Sequence, residues 1–218
     1  MKKQKLFISS LALNTLVFLL VVTGVILMLT VGSGALGSKG WTVFKYFTFQ
    51  SNIFVGLVCL AYAIFQLLMM RGIISKLPPV LLVFNHVAVT AVGLTFIIVV
   101  AFLAPGYGFD KMYNNANLFF HALVPLAAMI NYLFIEKEAK IAFWQSLFAA
   151  VPSVLYGIVY FIVVVSNNAY GNLDIDFYGF GKNGPWIGAL YFLIIIVIAY
   201  SIGLVLYFIN QLVFKKRR

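Results

Sequence analysis

The stretch from Leu6 to Val31, LFISSLALNTLVFLLVVTGVILMLTV, runs for 26 residues without an Asp, Glu, Lys or Arg. A bilayer core about 30 Å thick needs roughly 20 apolar residues in an α-helix, because no water is present there to satisfy backbone amides. Lys2, Lys3 and Lys5 before the stretch and the small residues from Gly32 to Gly37 after it have the outline of a secretory signal. A signal core is only about 7 to 15 residues long, so the stretch reads as an uncleaved first span.

Five further runs follow the same logic: Trp41 to Met70, Val80 to Ala104, Leu118 to Ile135, Ile141 to Ser166 and Pro185 to Phe214. Short breaks rich in Gly, Pro, Asn and charge separate them. The expectation is an all-α polytopic membrane protein, a single six-helix transmembrane domain over residues 1–218. Composition agrees, with 64% hydrophobic and 9% charged residues, against about 45–50% and about 25% in soluble domains.

The formal charge of +10 does not point to nucleic acid, since Lys and Arg lie between or beside apolar runs and not among aromatic residues on a polar face. It reports topology instead. The N-terminus, the Arg71–Pro79 and Glu136–Lys140 loops and the C-terminus hold all of the Lys and Arg except Lys39, Lys45, Lys111 and Lys182. The positive-inside rule then predicts a cell-membrane protein with cytoplasmic N- and C-termini, Trp41 and Trp186 at the outer interface and Trp144 at the inner one. Cys59 is alone, so no intramolecular disulfide forms, and it reads as a small packing residue.

Within the spans the sequence offers no Asp, Glu or Arg, and its one Lys, Lys45, is close enough to a helix end to snorkel. Ion-driven transporters usually keep an ionisable relay inside the membrane, so that class is disfavoured. No internal repeat suggests inverted halves.

The most polar stretch inside a span is Thr48-Phe49-Gln50-Ser51-Asn52. Thr48, Ser51 and Asn52, spaced i, i+3 and i+4, form one stripe on the outer part of the second helix. Such a stripe serves either as helix–helix glue or as a site. In the fourth span His121 precedes Pro125 by one turn. Proline has no N–H for the His121 carbonyl, so a kink and a free polar group are expected beside the imidazole.

Counted from Trp41 and Asn117 at about 1.5 Å per residue, Thr48 and His121 lie about 10 Å and 6 Å below the outer boundary. They are therefore able to meet. His86 lies about 9 Å above the inner face, too far to act as the base of Thr48 and too far from His121 in level for one haem.

A hydroxyl becomes a useful nucleophile when a positioned base takes its proton. Thr48 and His121 are accordingly the candidate catalytic pair for acyl transfer. Asn52 and Ser51 are the polar groups beside them for substrate, and Asn52 or a freed backbone amide would face an oxyanion. Tyr156 and Tyr160, one turn apart after Pro152, either reach into the site or simply pack. No cofactor or metal is expected. Asp174 and Asp176 read as solvated loop carboxylates, in a connection that with Phe177 and Tyr178 is long enough to cap the outer opening. Gly32-Ser33-Gly34 reads as a flexible connection.

With Lys45-Tyr46-Phe47-Thr48-Phe49 opening the second span and His121 early in the fourth, the chain resembles the androgen-induced family of multi-pass membrane proteins. It is similar above all to bacterial six-helix relatives, with a Phe-Thr-x-Gln-Ser-Asn pattern at Phe47 to Asn52 and a His-x-x-x-Pro pattern at His121 to Pro125. The resemblance implies hydrolysis of fatty acid esters of hydroxy fatty acids, with Thr48 as nucleophile and His121 beside it. Where those relatives carry a Pro-containing aromatic segment before the last helix, this chain has Phe177-Tyr178-Gly179-Phe180. The implied partner is a membrane lipid or fatty acyl ester in the bilayer, with no nucleic acid; a lipid-binding protein without catalysis is the alternative from another class.

Overall fold

The computed structural model describes residues 2–33, 39–136 and 140–215. Gly34 to Ser38, Lys137 to Ala139 and Lys216 to Arg218 lie outside the described residues, and with them Gly34 of the Gly-Ser-Gly motif. Six long helices cross the fold: α1 (Lys2–Thr30), α2 (Phe47–Met70), α3 (Pro79–Tyr107), α4 (Ala116–Ile135), α5 (Phe143–Ser166) and α6 (Pro185–Lys215). All six are long and apolar enough to span a membrane. This is an all-α, multi-pass membrane protein, and its described residues contain no strand.

Helix α3 is the axis of the bundle and the most buried of the six, while α6 is the least. It packs on α2, α4, α5 and α6, and α1 lies against α2 and α4. Their common core includes Val17 and Val21 of α1, Val55 and Tyr62 of α2, Val89 and Val92 of α3, and Val124 and Ala128 of α4. Small residues let the helices approach, as expected where lipid outside is as apolar as the interior. A Cβ at Gly56 would stand 2.8 Å from Val21 Cγ1, and one at Gly203 only 2.4 Å from Ala149 Cβ.

Three boundaries differ from the sequence expectation in ways that matter for the site. The second span does not begin at Trp41, because Gly40–Lys45 forms a separate 3-10 turn and Tyr46 is extended. Thr48 therefore sits in the first turn of α2, and the depth counted from Trp41 by α-helical rise does not apply to it. The third span continues past Ala104 to Tyr107, where Gly108 at φ +99° ends it in a conformation that only glycine adopts freely. The fourth begins at Ala116.

Both α3 and α4 widen into a π-helical turn just ahead of a proline. The turns are Val99–Leu103 before Pro105 and Phe119–Leu123 before Pro125. In α4 the Val124 N–H bonds the carbonyl of Phe119, five residues back. In that register the partner missing at Pro125 strands the carbonyl of Phe120, one residue earlier than an α-helical register implies. The Asn52 amide of α2 fills the gap, donating to Phe120 O at 3.2 Å.

Candidate functional site

Helices α2 and α4 meet at the end of the bundle away from the termini, and Asn52 is the pin. It is fully buried, and its amide nitrogen lies 2.7 Å from the Thr48 carbonyl as well as 3.2 Å from that of Phe120. Those two carbonyl oxygens are consequently within about 6 Å of each other. The carbonyls of Thr48 and of Phe120, the residue before His121, thus share this seam. Both protons of the Asn52 amide face backbone carbonyls, so this group is spent on the helix seam and offers no N–H to an oxyanion. Its Oδ1 has no hydrogen-bond partner among the described residues.

The Thr48 side chain is half-buried. Thr15, Thr23, Thr30 and Thr90 return their hydroxyls to the carbonyl four residues back. Thr48 has no such return, since the Phe44 carbonyl four residues before it belongs to the preceding 3-10 turn and accepts the Gln50 amide at 2.8 Å. Ser51 bonds the Thr48 carbonyl at 3.1 Å and the Thr95 hydroxyl of α3 at 3.2 Å, which makes it a tie between α2 and α3.

His121 is buried in the π turn of α4. Its Nδ1 donates to the Met112 carbonyl at 2.6 Å. A carbonyl only accepts, so the proton is fixed on Nδ1 and the lone pair of the neutral ring on Nε2. Met112 ends the short helix Phe109–Met112, whose last carbonyls lack helical partners. Asn117 secures the neighbouring one, donating to Lys111 O at 3.2 Å and to Ser33 O at 2.8 Å. Tyr113 meets His121 edge-on at 6.4 Å and lines an open cleft of about 500 Å³ with Phe109, Asp110 and Asn114. No hydrogen bond joins His121 to Thr48.

Tyr156 and Tyr160 turn toward the loop between α5 and α6. Tyr156 donates to Lys45 O at 2.6 Å, and Tyr160 to Asp176 Oδ1 at 2.5 Å. Asp176 is no solvated carboxylate: it is fully buried, and its Oδ2 accepts the Gly171 and Gly181 amides at 2.8 Å each. Asp174 is exposed, as expected of a loop acid. The knot formed by Asp176 presents Phe177, Tyr178 and Phe180 to α5 and α6. Tyr178 reaches further, and its Oη accepts the Phe47 N–H at 3.1 Å, capping the start of α2. Burial pushes the Tyr178 phenol up to about 12.

The other end of the bundle carries polar groups that the sequence reading missed. Glu136, just beyond α4, is buried and accepts amide hydrogens from Asn14 at 3.2 Å, Asn131 at 2.8 Å and Asn85. Gln66 donates to Ser10 at 2.9 Å in the same cluster. His86 is fully buried beside it, its Nδ1 2.9 Å from the Tyr132 hydroxyl. The clue was level: Gln66, Asn85 and Asn131 each lie about one to two turns inside their helices, counted from the terminal end, and Asn14 about three turns inside the longer α1. Among the described residues no cluster of His, Cys, Asp and Glu is suited to a metal ion. In comparisons with known proteins the chain matches no family model, no curated protein and no solved structure.

Proposed function

We propose that the chain is an intramembrane hydrolase of lipid esters, fatty acid esters of hydroxy fatty acids among them, with Thr48 as nucleophile and His121 as general base. The observation that carries this reading is the 2.6 Å bond from His121 Nδ1 to the Met112 carbonyl. It holds the imidazole in the tautomer a base requires, doing with a backbone carbonyl what a carboxylate does in a triad. In the reaction Thr48 Oγ1 attacks the ester carbonyl while Nε2 takes its proton. The tetrahedral intermediate then expels the alcohol, which leaves with that proton. Water, activated by the same nitrogen, hydrolyses the acyl-threonine and restores the hydroxyl.

Thr48 also lies in the first turn of α2, where the helix dipole favours developing negative charge, although the Phe47, Phe49 and Gln50 N–H groups are already bonded to Tyr178 Oη and the Tyr46 carbonyl. The pair closes to hydrogen-bond range when substrate binds, as apo sites often require. The site faces the outer leaflet of the cell membrane, with cytoplasmic termini, on the Lys and Arg distribution.

A fluorophosphonate probe tests the reading directly. The purified protein should be labelled at position 48, and folded Thr48→Ala and His121→Ala proteins should lose both labelling and ester cleavage. The double variant should be scarcely worse than either single one, because groups acting as one unit fail together. Full cleavage by folded Thr48→Ala sinks the mechanism. A lipid-binding protein without catalysis is the second reading, favoured by the missing Thr48–His121 bond, and it predicts that Ala, Ser and Val at position 48 differ only in stability.

A further inference from the structure

The first turn of α2, which carries Thr48, is held from outside its own stretch of chain. Its Phe49 and Gln50 N–H groups return to the Tyr46 carbonyl at 3.1 Å and 3.2 Å. The Phe47 N–H opens the helix and lies ahead of any helical acceptor. Tyr46 before it is not one of the Ser, Thr, Asp or Asn residues that cap a helix locally. The acceptor comes instead from 131 residues away, as Tyr178 Oη at 3.1 Å. Tyr178 is itself fixed, since its N–H donates to Tyr160 Oη at 3.0 Å and that hydroxyl donates onward to Asp176 Oδ1 at 2.5 Å. On the other side of Thr48, its carbonyl accepts the Asn52 amide at 2.7 Å. Thr48 thus stands between two tethers, one to the buried seam with α4 and one to the loop between α5 and α6.

We infer that Tyr178 is a positioning residue for Thr48: its hydroxyl, backed by Tyr160 and Asp176, fixes the peptide just before the nucleophile and so aims the Thr48 hydroxyl. The inference rests on Thr48 being the nucleophile. A helix end frays where its first N–H groups lack acceptors, and a shift of about 1 Å at a reacting atom costs up to about a hundredfold in rate. Further contacts grip the same segment. Tyr156 of α5 donates to Lys45 O at 2.6 Å, Lys45 Nζ lies 3.4 Å from Asp174 O, and the same ammonium stands 4.6 Å from the Phe177 ring centre. The signature belongs to the chemical step: without the Tyr178 hydroxyl, attack by Thr48 slows while substrate binding holds.

The test is a cycle between Tyr178→Phe and Phe47→Pro in the purified full chain. It is read as the rate of fluorophosphonate labelling at position 48 and as kcat and KM for a long-chain p-nitrophenyl ester. Tyr178→Phe keeps the ring that packs against Phe177 and Phe180. It should slow labelling and lower kcat by about tenfold, with KM changed by less than about twofold. Phe47→Pro removes the N–H that the hydroxyl serves; proline is favoured at the first helical position, and the extended Tyr46 suits a residue that precedes it. Whatever Phe47→Pro costs alone, adding Tyr178→Phe to it should slow labelling by less than about twofold. If Phe47→Pro does not fold, the kcat-against-KM split of Tyr178→Phe decides, and a loss confined to KM overturns the inference. Equal labelling of the native and Tyr178→Phe proteins overturns it alone, as does a tenfold loss that persists beside Phe47→Pro. A Tyr178→Phe chain that does not fold and is not rescued by Phe47→Pro overturns it too, because the hydroxyl then serves more than this one N–H. A native chain that is not labelled at position 48 refutes the catalytic reading itself, and the inference with it.

Discussion

Replacing Asn52 by Ala removes the donor that satisfies the Phe120 carbonyl, which Pro125 has left without a helical partner. The cost follows from where that carbonyl sits. An unsatisfied buried polar group costs about 1–3 kcal/mol, and interhelical hydrogen bonds in membranes average about 0.6 kcal/mol, so a loss of about 2 kcal/mol is expected. For a chain of this length that is a Tm lowered by about 4–8 °C. The diagnostic experiment is the cycle with Pro125→Ala. An Ala at 125 supplies an N–H five residues after Phe120, in the register that the π turn already has, so the carbonyl no longer depends on Asn52. In that background Asn52→Ala should cost about 1 kcal/mol less than in the native chain. Reversible unfolding of the four proteins in mixed micelles measures the coupling. Additivity to within about 0.3 kcal/mol would refute the account of Asn52 as the partner of a proline-freed carbonyl.

His86→Ala should destabilise by about 2–4 kcal/mol, because it empties a fully buried site and strands the Tyr132 hydroxyl. Turnover per folded molecule should stay unchanged, and a folded His86→Ala protein without turnover would move the catalytic site to the terminal end. Tyr178 keeps its proton to about pH 12 in the folded chain against 10 in the free phenol. The stability it contributes is complete below pH 10 and is lost as pH rises toward 12, so alkaline melting curves of Tyr178→Phe should fall less steeply over that window than those of the native chain. A cysteine at Asn172, exposed in the loop between α5 and α6, should react with an impermeant maleimide from outside intact cells; reaction only after lysis reverses the topology.

The spans were legible because length and apolarity leave few alternatives to a helix in lipid, and the proline at 125 announced a disturbed fourth helix. The register of that disturbance was not legible. A π turn moves the freed carbonyl from His121 to Phe120, and only the position of Asn52 on a neighbouring helix shows which oxygen is served. Tyr46 is extended and splits Trp41–Lys45 from α2, although nothing in that aromatic run marks a break. Asp176 was read as solvated, and Glu136 only as the start of a charged loop, because each stands in a polar, loop-like stretch. Glu136 is buried by partners far away in sequence, Asn14 and Asn85, and Asp176 by Tyr160 of α5 together with the amides of Gly171 and Gly181, which the fold of its own loop turns inward.

The polar cluster around Glu136 also bears on how the chain is made. A ribosome delivers α1 and α2 to the membrane before α3 and α4 exist, so Ser10, Asn14 and Gln66 enter lipid ahead of Asn85, Asn131 and Glu136. The first hairpin is already self-sufficient. Gln66 bonds Ser10 at 2.9 Å, and Asn14 lies 3.3 Å from Gln66 Oε1. Two early helices can thus wait as a closed pair until the third and fourth arrive with the carboxylate and its remaining amides. A Gln66→Leu chain would lose that interim partnership, and its damage would fall on insertion yield during synthesis more than on the stability of molecules that finish assembly.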